Sequence, residues 1–173
     1  MKQLPRFTDI TLVLTERCNL RCPYCYVPQQ EDGAGRVMSE EVALAAVDRF
    51  LDRAPAGKEL SISFFGGEPF LERGLMERVV DHARSRRPEG LTFSAPTNGT
   101  LLDDDALDLV RRSGMSLALS VDGTSPAAQR PDARGRSTME RLEAAIPAVR
   151  DQDPMTRMTV TPDNVDQLCQ NVQ

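Results

Sequence analysis

The 173-residue sequence has little positive charge and no long apolar run, and each shortage excludes a class of protein. Its 21 lysines and arginines are outnumbered by 26 aspartates and glutamates, which gives a formal net charge of −5. This balance excludes a nucleic-acid-binding protein that depends on bulk positive charge. No stretch approaches the roughly 20 apolar residues of a membrane span, and the first residues lack the apolar segment of a signal peptide. We therefore expect a cytoplasmic protein with neither nucleic acid nor membrane as a partner.

Short alternating apolar segments are followed along the whole chain by segments with helical periodicity. Strands are predicted at Thr8–Leu14, Leu60–Phe65, Leu91–Ala95, Ser116–Val121 and Thr156–Val160. Helices are predicted at Glu40–Arg53 after a Ser39 cap, at Leu71–Arg87, at Asp104–Ser113 after Asp103, after a capping-box pattern from Ser137 to Glu140, and from Asp163. Because strands alternate with helices, the pattern predicts right-handed βαβ units and a parallel α/β sheet.

Several strands alternate between apolar and hydroxyl side chains, which is unusual for parallel strands covered on both faces. Leu12, for example, is flanked by Thr11, and Leu119 by Ser120. An open or partial barrel whose inner face lines a polar cavity would have this pattern. The alternative is an antiparallel sheet with one solvated face, which fits less well with helices between the strands.

Three of the four cysteines lie within eight residues, as Cys18, Cys22 and Cys25, directly after the first predicted strand. In a reducing compartment such a cluster indicates a metal or catalytic site before a disulfide. Three thiolates on one loop can hold three irons of a 4Fe–4S cluster and leave the fourth iron open for a substrate or cofactor.

Other uses of these cysteines fit the sequence less well. A structural zinc site needs four ligands, and only His82 and Cys169 remain as soft candidates. We expect His82 to be structural or on the surface and Cys169 to be a half-buried hydrophobic residue. A disulfide would leave one reactive thiol over, and a ferredoxin-like electron carrier normally supplies four cysteines for each cluster.

A second motif, Gly66-Gly67-Glu68, follows the second predicted strand, and Pro69 ends that strand. Paired glycines let the backbone approach a ligand closely, and Glu68 offers an acceptor suited to an ammonium group. Taken alone, the motif is equally compatible with an ordinary turn between a strand and a helix.

Two further segments close predicted strands. Ser120 precedes Asp122-Gly123 at the end of the fourth strand, on the hydroxyl-bearing side. Thr97 to Thr100 closes the third strand around an Asn-Gly dipeptide, which is common in turns. Either segment could be only a turn.

Together these motifs resemble the radical SAM superfamily, and most of all its anaerobic sulfatase-maturase-like and SPASM peptide-modifying members. The resemblance implies that Cys18, Cys22 and Cys25 bind a 4Fe–4S cluster whose open iron is chelated by S-adenosyl-L-methionine. It implies further cofactor contacts from Tyr24 on the adenine side, from Gly66, Gly67 and Glu68 at the amino group, and from Ser120 and Arg130 at the carboxylate or ribose. Arg134 or Arg136 could replace Arg130. No catalytic residue is expected beyond the cluster and the cofactor site.

The same resemblance implies an α/β fold with an incomplete parallel (β/α)6 partial barrel of about five βα units over residues 1–173. A sixth strand and any auxiliary-cluster domain are expected to be absent, as in a C-terminally truncated family member. The implied activity is reductive cleavage of S-adenosyl-L-methionine to a 5′-deoxyadenosyl radical, which abstracts hydrogen from a peptide or protein side chain. An electron donor such as flavodoxin or ferredoxin is then required. The alternative is a non-catalytic remnant that binds an iron–sulfur cluster without turnover.

Overall fold

The computed structural model describes residues 7–27, 35–123 and 129–171. Its framework is a five-stranded parallel sheet whose strands lie side by side in sequence order. The strands are β1 Asp9–Thr15, β2 Leu60–Gly66, β3 Leu91–Thr97, β4 Ser116–Ser120 and β5 Met155–Arg157. The described α-helices are α1 Glu40–Asp52, α2 Arg73–Arg86, α3 Asp104–Ser113, α4 Met139–Val149 and α5 Leu168–Asn171, and 3-10 turns occupy Pro69–Glu72, Arg150–Gln152 and Val165–Gln167. The predicted parallel α/β fold of about five βα units is confirmed.

The apolar side of the sheet is covered by the helices. Alternate strand residues are fully buried and join one core with the inner faces of α1, α2 and α3; examples are Leu14, Ile62, Phe64, Phe93, Leu119, Val47, Met76, Val79 and Val110. Ser39 and Asp103 cap α1 and α3 as predicted, since their side chains accept from the backbone N–H groups of Val42 and Ala106. Because every strand pair is parallel, the carboxyl ends of all five strands lie at the same edge of the sheet.

The opposite side of the sheet carries a row of hydroxyl groups. Thr11, Ser63, Ser94 and Ser116 are register partners across β1, β2, β3 and β4. The hydroxyl oxygens of Ser63 and Ser94 are hydrogen-bonded at 2.8 Å. This row lines a cavity of about 470 Å³, so the polar inner face predicted from the alternating pattern is present, and the antiparallel alternative is wrong.

The last strand differs from its prediction. It covers Met155–Arg157 instead of Thr156–Val160 because the next backbone groups bind side chains instead of a neighbouring strand. The N–H of Thr159 donates to the carboxylate of Asp122, and the carbonyl of Thr159 accepts from the amide of Asn164.

Three helix starts also differ. The predicted helix Leu71–Arg87 begins two residues late, at Arg73, because Pro69–Glu72 forms a 3-10 turn that the Glu68 side chain caps. The capping box at Ser137 is wrong: Thr138 is the cap residue of α4, and its hydroxyl donates to the carbonyl of Arg130. The helix predicted from Asp163 begins as a 3-10 turn at Val165. Among the described residues, no helix is long and apolar enough to cross a bilayer.

Candidate functional site

The three clustered cysteines lie on the loop after β1, and all three line one cavity of about 310 Å³. They are half-buried thiols and not disulfides. Burial raises the pKa of Cys18 to about 11, and burial also raises the pKa of Cys22 against the opposing effects of the Arg130 charge and a Tyr24 hydrogen bond. A metal bound there would take the place of the thiol protons.

The cysteine loop is held in shape by its own backbone. The N–H of Cys25 donates to the carbonyl of Cys22 at 3.0 Å, which forms a tight turn between the second and third cysteines. The guanidinium of Arg21 bridges the carbonyls of Cys18 and Leu20 at 2.8 and 2.9 Å. These bonds fix the path of the chain around the cavity.

The loop is also anchored to the end of β3. The amide nitrogen of Asn19 donates to the hydroxyl of Thr100 at 2.8 Å, and the amide of Asn98 donates to the side-chain oxygen of Asn19 at 2.9 Å. Asn19 was not predicted to be a site residue. Its position directly after Cys18 was the one signal available, because its partners are about 80 residues away in sequence.

A further anchor joins the loop to the segment after β4. The N–H of Arg21 donates to the carbonyl of Pro131 at 2.7 Å, and Leu20 forms an antiparallel bridge with Asp132. The loop therefore contacts segments at the carboxyl ends of two different strands.

The glycine pair packs against the chain that leads into the cysteine loop. A Cβ atom at Gly66, whose φ is +150°, would lie 2.2 Å from the carbonyl oxygen of Thr15, and one at Gly67 would lie 2.3 Å from that of Arg17. The N–H groups of Gly67 and Glu68 donate to these two carbonyls, each at 2.9 Å. The close approach predicted for a ligand is thus made first to the protein backbone, and both glycines also line the cavity.

Glu68 is buried beneath the cavity with 1% of its surface exposed. One carboxylate oxygen accepts from the hydroxyl of Thr97 at 2.9 Å and from the N–H of Phe70, and the other accepts from the N–H of Asn98 at 2.8 Å. Burial raises the pKa of this carboxyl to about 6, against the effect of these donors. Glu68 therefore joins the glycine turn to the end of β3 in addition to lining the cavity.

At the end of β4, Ser120 lines the cavity and Asp122 lies directly behind it, fully buried. Asp122 accepts from the hydroxyl of Tyr24 and, at 2.7 Å, from Nε of Arg130. The Arg130 guanidinium lies 5.9 Å from the centre of the Tyr24 ring. The sequence alone indicates no more than a turn at Asp122, although this residue lies in the segment from Ser120 to Gly123.

Of the three arginines proposed for one role, the structure brings only Arg130 into the cavity. Arg136 is mostly exposed and pairs with Asp132, and Arg134 is exposed. All the other predicted site residues line this same cavity: Cys18, Cys22, Cys25, Tyr24, Gly66, Gly67, Glu68 and Ser120.

A model of the Radical SAM superfamily matches residues 12–170 of the chain. The chain belongs to the radical SAM superfamily. It is 35% identical over 127 residues to the serine-type anaerobic sulfatase-maturating enzyme of Klebsiella aerogenes. That alignment covers 70% of this chain and 31% of the enzyme. It is 33% identical over 151 residues to the PqqA peptide cyclase of Xanthomonas campestris pv. campestris, in an alignment that covers 87% of this chain and 38% of the cyclase. The chain thus spans about a third of the length of these curated relatives.

The fold also matches a solved structure. Native anSMEcpe with bound AdoMet and Cp18Cys peptide superposes with a TM-score of 0.82 over 95% of this chain and 46% of that one, at 24% identity. At that identity the match bears on the fold, which is that of a partial radical SAM barrel.

All three clustered cysteines line one cavity, so the donor set is compatible with the cluster of a radical SAM protein. In residues 7–27, 35–123 and 129–171, no three His, Cys, Asp or Glu side chains are grouped so that they could hold one ion. A cube-shaped cluster instead takes each thiolate on a different iron. His82 bonds to Asp48 on α1, and Cys169 is exposed, not half-buried as expected. Neither is among the residues that line the cavity with the three cysteines, where a fourth zinc ligand would be needed.

Proposed function

We propose that this chain is a radical SAM core that binds a 4Fe–4S cluster through Cys18, Cys22 and Cys25 and S-adenosyl-L-methionine beside it. The observation that supports this most is one cavity lined by the three cysteines, by the Gly66-Gly67-Glu68 turn and by residues from the ends of β3 and β4. Its volume of about 310 Å³ lies at the lower end of the range for small-molecule sites.

The three cysteine thiolates would hold the cluster. Bound there, the cluster would supply the electron for reductive cleavage of S-adenosyl-L-methionine, the chemistry by which a hydrogen atom would be abstracted from the substrate. The protein's own contribution is to position the groups and to limit access of water. Leu20, Phe65 and Pro96 give the cavity apolar walls that serve the second purpose.

The cofactor's amino acid end would lie between the glycine turn and Arg130. Because the second carboxylate oxygen of Glu68 accepts one described hydrogen bond, it has capacity for a further one from an ammonium group. Arg130 offers a planar cation that can bind a carboxylate with two parallel hydrogen bonds. Ser120 would donate to the carboxylate or ribose, and Tyr24 would pack on the adenine side.

The substrate we propose is a peptide or protein side chain. This follows from the names of the relatives, a sulfatase-maturating enzyme and a peptide cyclase, and from the peptide bound to anSMEcpe. A one-electron donor protein such as flavodoxin or ferredoxin would reduce the cluster.

The test is anaerobic reconstitution of the protein, followed by iron and sulfide analysis. Wild type should bind about four irons and four sulfides, and Cys→Ala at 18, 22 or 25 should abolish loading. Cys169→Ala is the matched control, because this exposed cysteine lies outside the cavity, and it should load fully. Full loading of any of the first three variants would overturn the assignment.

Electron paramagnetic resonance of the reduced cluster, with and without S-adenosyl-L-methionine, then tests cofactor binding. Formation of 5′-deoxyadenosine under the same conditions tests cleavage. A cluster whose spectrum responds to the cofactor without any 5′-deoxyadenosine would support the non-catalytic alternative instead.

A further inference from the structure

We propose that Asp122 is a positioning residue that fixes Arg130 for the carboxylate of S-adenosyl-L-methionine. The inference rests on the proposed function, and it gives a role to a residue that lies behind the cavity wall. Asp122 has no exposed surface, and it is not among the residues that line the cavity. It therefore acts through its neighbours.

Both oxygens of the Asp122 carboxylate are used. One accepts from the N–H of Thr159 at 2.9 Å, and the other accepts from Nε of Arg130 at 2.7 Å and from the hydroxyl of Tyr24. A fully buried carboxylate is costly unless it is paired and hydrogen-bonded, and here a cation and two neutral donors meet both conditions. The arrangement is accordingly rigid.

The hydrogen bonding of Arg130 determines which of its N–H donors remain for a ligand. Among the described residues, its side-chain hydrogen bond is the one from Nε to Asp122. A guanidinium has five N–H donors, so this bond occupies one edge and leaves the two terminal nitrogens for another partner. Because Arg130 lines the cavity, that partner would be an anionic group bound there. A carboxylate is the anion that such a planar pair of donors fits best.

Tyr24 closes the arrangement from the cysteine loop. Its hydroxyl donates to the same oxygen that accepts from Arg130, and its ring faces the guanidinium at 5.9 Å. Burial, followed by the hydrogen bond to Asp122, raises the pKa of Tyr24, so this hydroxyl stays a donor. Arg130 is thus held from its edge by Asp122 and from its face by the loop that carries the cysteines.

The experiment uses the anaerobically reconstituted chain and measures the dissociation constant of S-adenosyl-L-methionine by equilibrium dialysis and by the spectral shift of the reduced cluster. Asp122→Asn keeps the shape of the side chain but removes its charge, and it should weaken binding about tenfold, as expected for the loss of one charge-assisted bond. Tyr24→Phe removes only the hydroxyl and should weaken binding about threefold. Both variants should load the cluster as wild type does.

A double variant separates positioning from a structural role. Arg130→Gln should weaken cofactor binding as much as Asp122→Asn does. The double variant should bind the cofactor as well as Arg130→Gln alone does, because Asp122 acts through Arg130. Asp108→Asn, at an exposed ion pair on α3, is the control for the charge change and should bind normally.

The outcomes separate this proposal from the proposed function. A wild-type protein that binds no cofactor would overturn both. If wild type binds the cofactor but the effects of Asp122→Asn and Arg130→Gln on the dissociation constant add, only the positioning role is overturned. The same holds if Asp122→Asn and Tyr24→Phe lose cluster and yet the loaded fraction binds the cofactor normally.

Discussion

Gly67 packs directly against the backbone of Arg17, so closely that a Cβ atom at Gly67 would lie 2.3 Å from the Arg17 carbonyl oxygen. Arg17 immediately precedes Cys18. The second motif therefore supports the first through backbone contact, and a change in one should be detected in the other.

Gly67→Ala should reduce cluster loading as well as cofactor binding. The added methyl group displaces residues 16 and 17, and a forced shift of this kind costs about 1–3 kcal/mol. Iron analysis and thermal unfolding measure the two effects. Gly74→Ala is the matched control, because this glycine lies in α2 with only the end of the Arg78 side chain nearby, and its Tm should be unchanged or slightly higher. Equal cluster loading in both variants would contradict the contact described here.

Asn19→Ala should loosen the cysteine loop from the end of β3. The substitution removes two hydrogen bonds and leaves the Asn98 amide and the Thr100 hydroxyl each with one partner fewer. The Thr100 hydroxyl keeps its bond to the side-chain oxygen of Asn98, so a cost of about 1–3 kcal/mol in the free energy of unfolding is expected, chiefly from the Asn98 amide. Urea denaturation measures the cost, and the rate of iron release to a chelator reports on the loop. Gln170→Ala, at an exposed position of α5, should change neither quantity.

Glu68 should make the cluster-free protein less stable as pH rises from 4.5 to 6. Burial raises the pKa of this carboxyl from an ordinary value of 4.5 to about 6, so the folded protein holds the proton more tightly than the unfolded chain does. Its contribution to stability is full below pH 4.5, declines as pH rises through 6, and is constant above that. The difference between a pKa of 4.5 and one of about 6 corresponds to about 2 kcal/mol in the free energy of unfolding.

Urea denaturation of wild type and Glu68→Gln under reducing conditions, from pH 4 to pH 8, checks this sign. Glutamine does not titrate, so the free energy of unfolding of wild type minus that of the variant should decrease by about 2 kcal/mol across the interval. A difference that does not change with pH would show that Glu68 titrates as an exposed carboxyl does.

Arg130→Gln should weaken cofactor binding about tenfold, while Arg134→Gln and Arg136→Gln should leave it unchanged. The three arginines lie within seven residues, but only Arg130 lines the cavity. Dissociation constants measured on equally loaded proteins compare them directly. An effect of Arg136→Gln as large as that of Arg130→Gln would show that the 129–136 segment rearranges when the cofactor binds.

The fold could be predicted from the sequence because it depends on local patterns that repeat. The alternation in segments such as Leu60 to Phe65 has the period of a strand, and caps such as Asp103 mark where helices begin. The end of β5 could not be predicted in the same way. Its limit depends on a hydrogen bond from Thr159 to Asp122, 37 residues earlier in the chain.

The candidate site divides along the same line. The cysteines and the glycine turn are dense local motifs and could be found by reading along the chain. Asn19 bonds to residues about 80 positions away, and two partners of Asp122, Tyr24 and Thr159, are 98 and 37 positions away, so these contacts are visible only in three dimensions. The glycine pair predicts a close approach, but the sequence does not show which group is approached. The structure shows that Gly66 and Gly67 pack first against the protein backbone, whereas a ligand was the contact expected from the sequence.

The residues that anchor the cysteine loop are synthesised after the cysteines themselves, so the loop is anchored only late in translation. The cysteines are translated early, but the residue that pairs with Leu20 is Asp132, 112 residues later. At the usual 5–20 residues per second, a ribosome takes roughly 5–20 s to cover that distance. During this time the three thiols belong to a nascent chain in which the supports at residues 98, 122 and 131 are not yet all present. If these cysteines bind a cluster as proposed, one delivered before residue 132 is made would meet a loop that is not yet fully anchored, so we expect insertion to follow the synthesis of this segment.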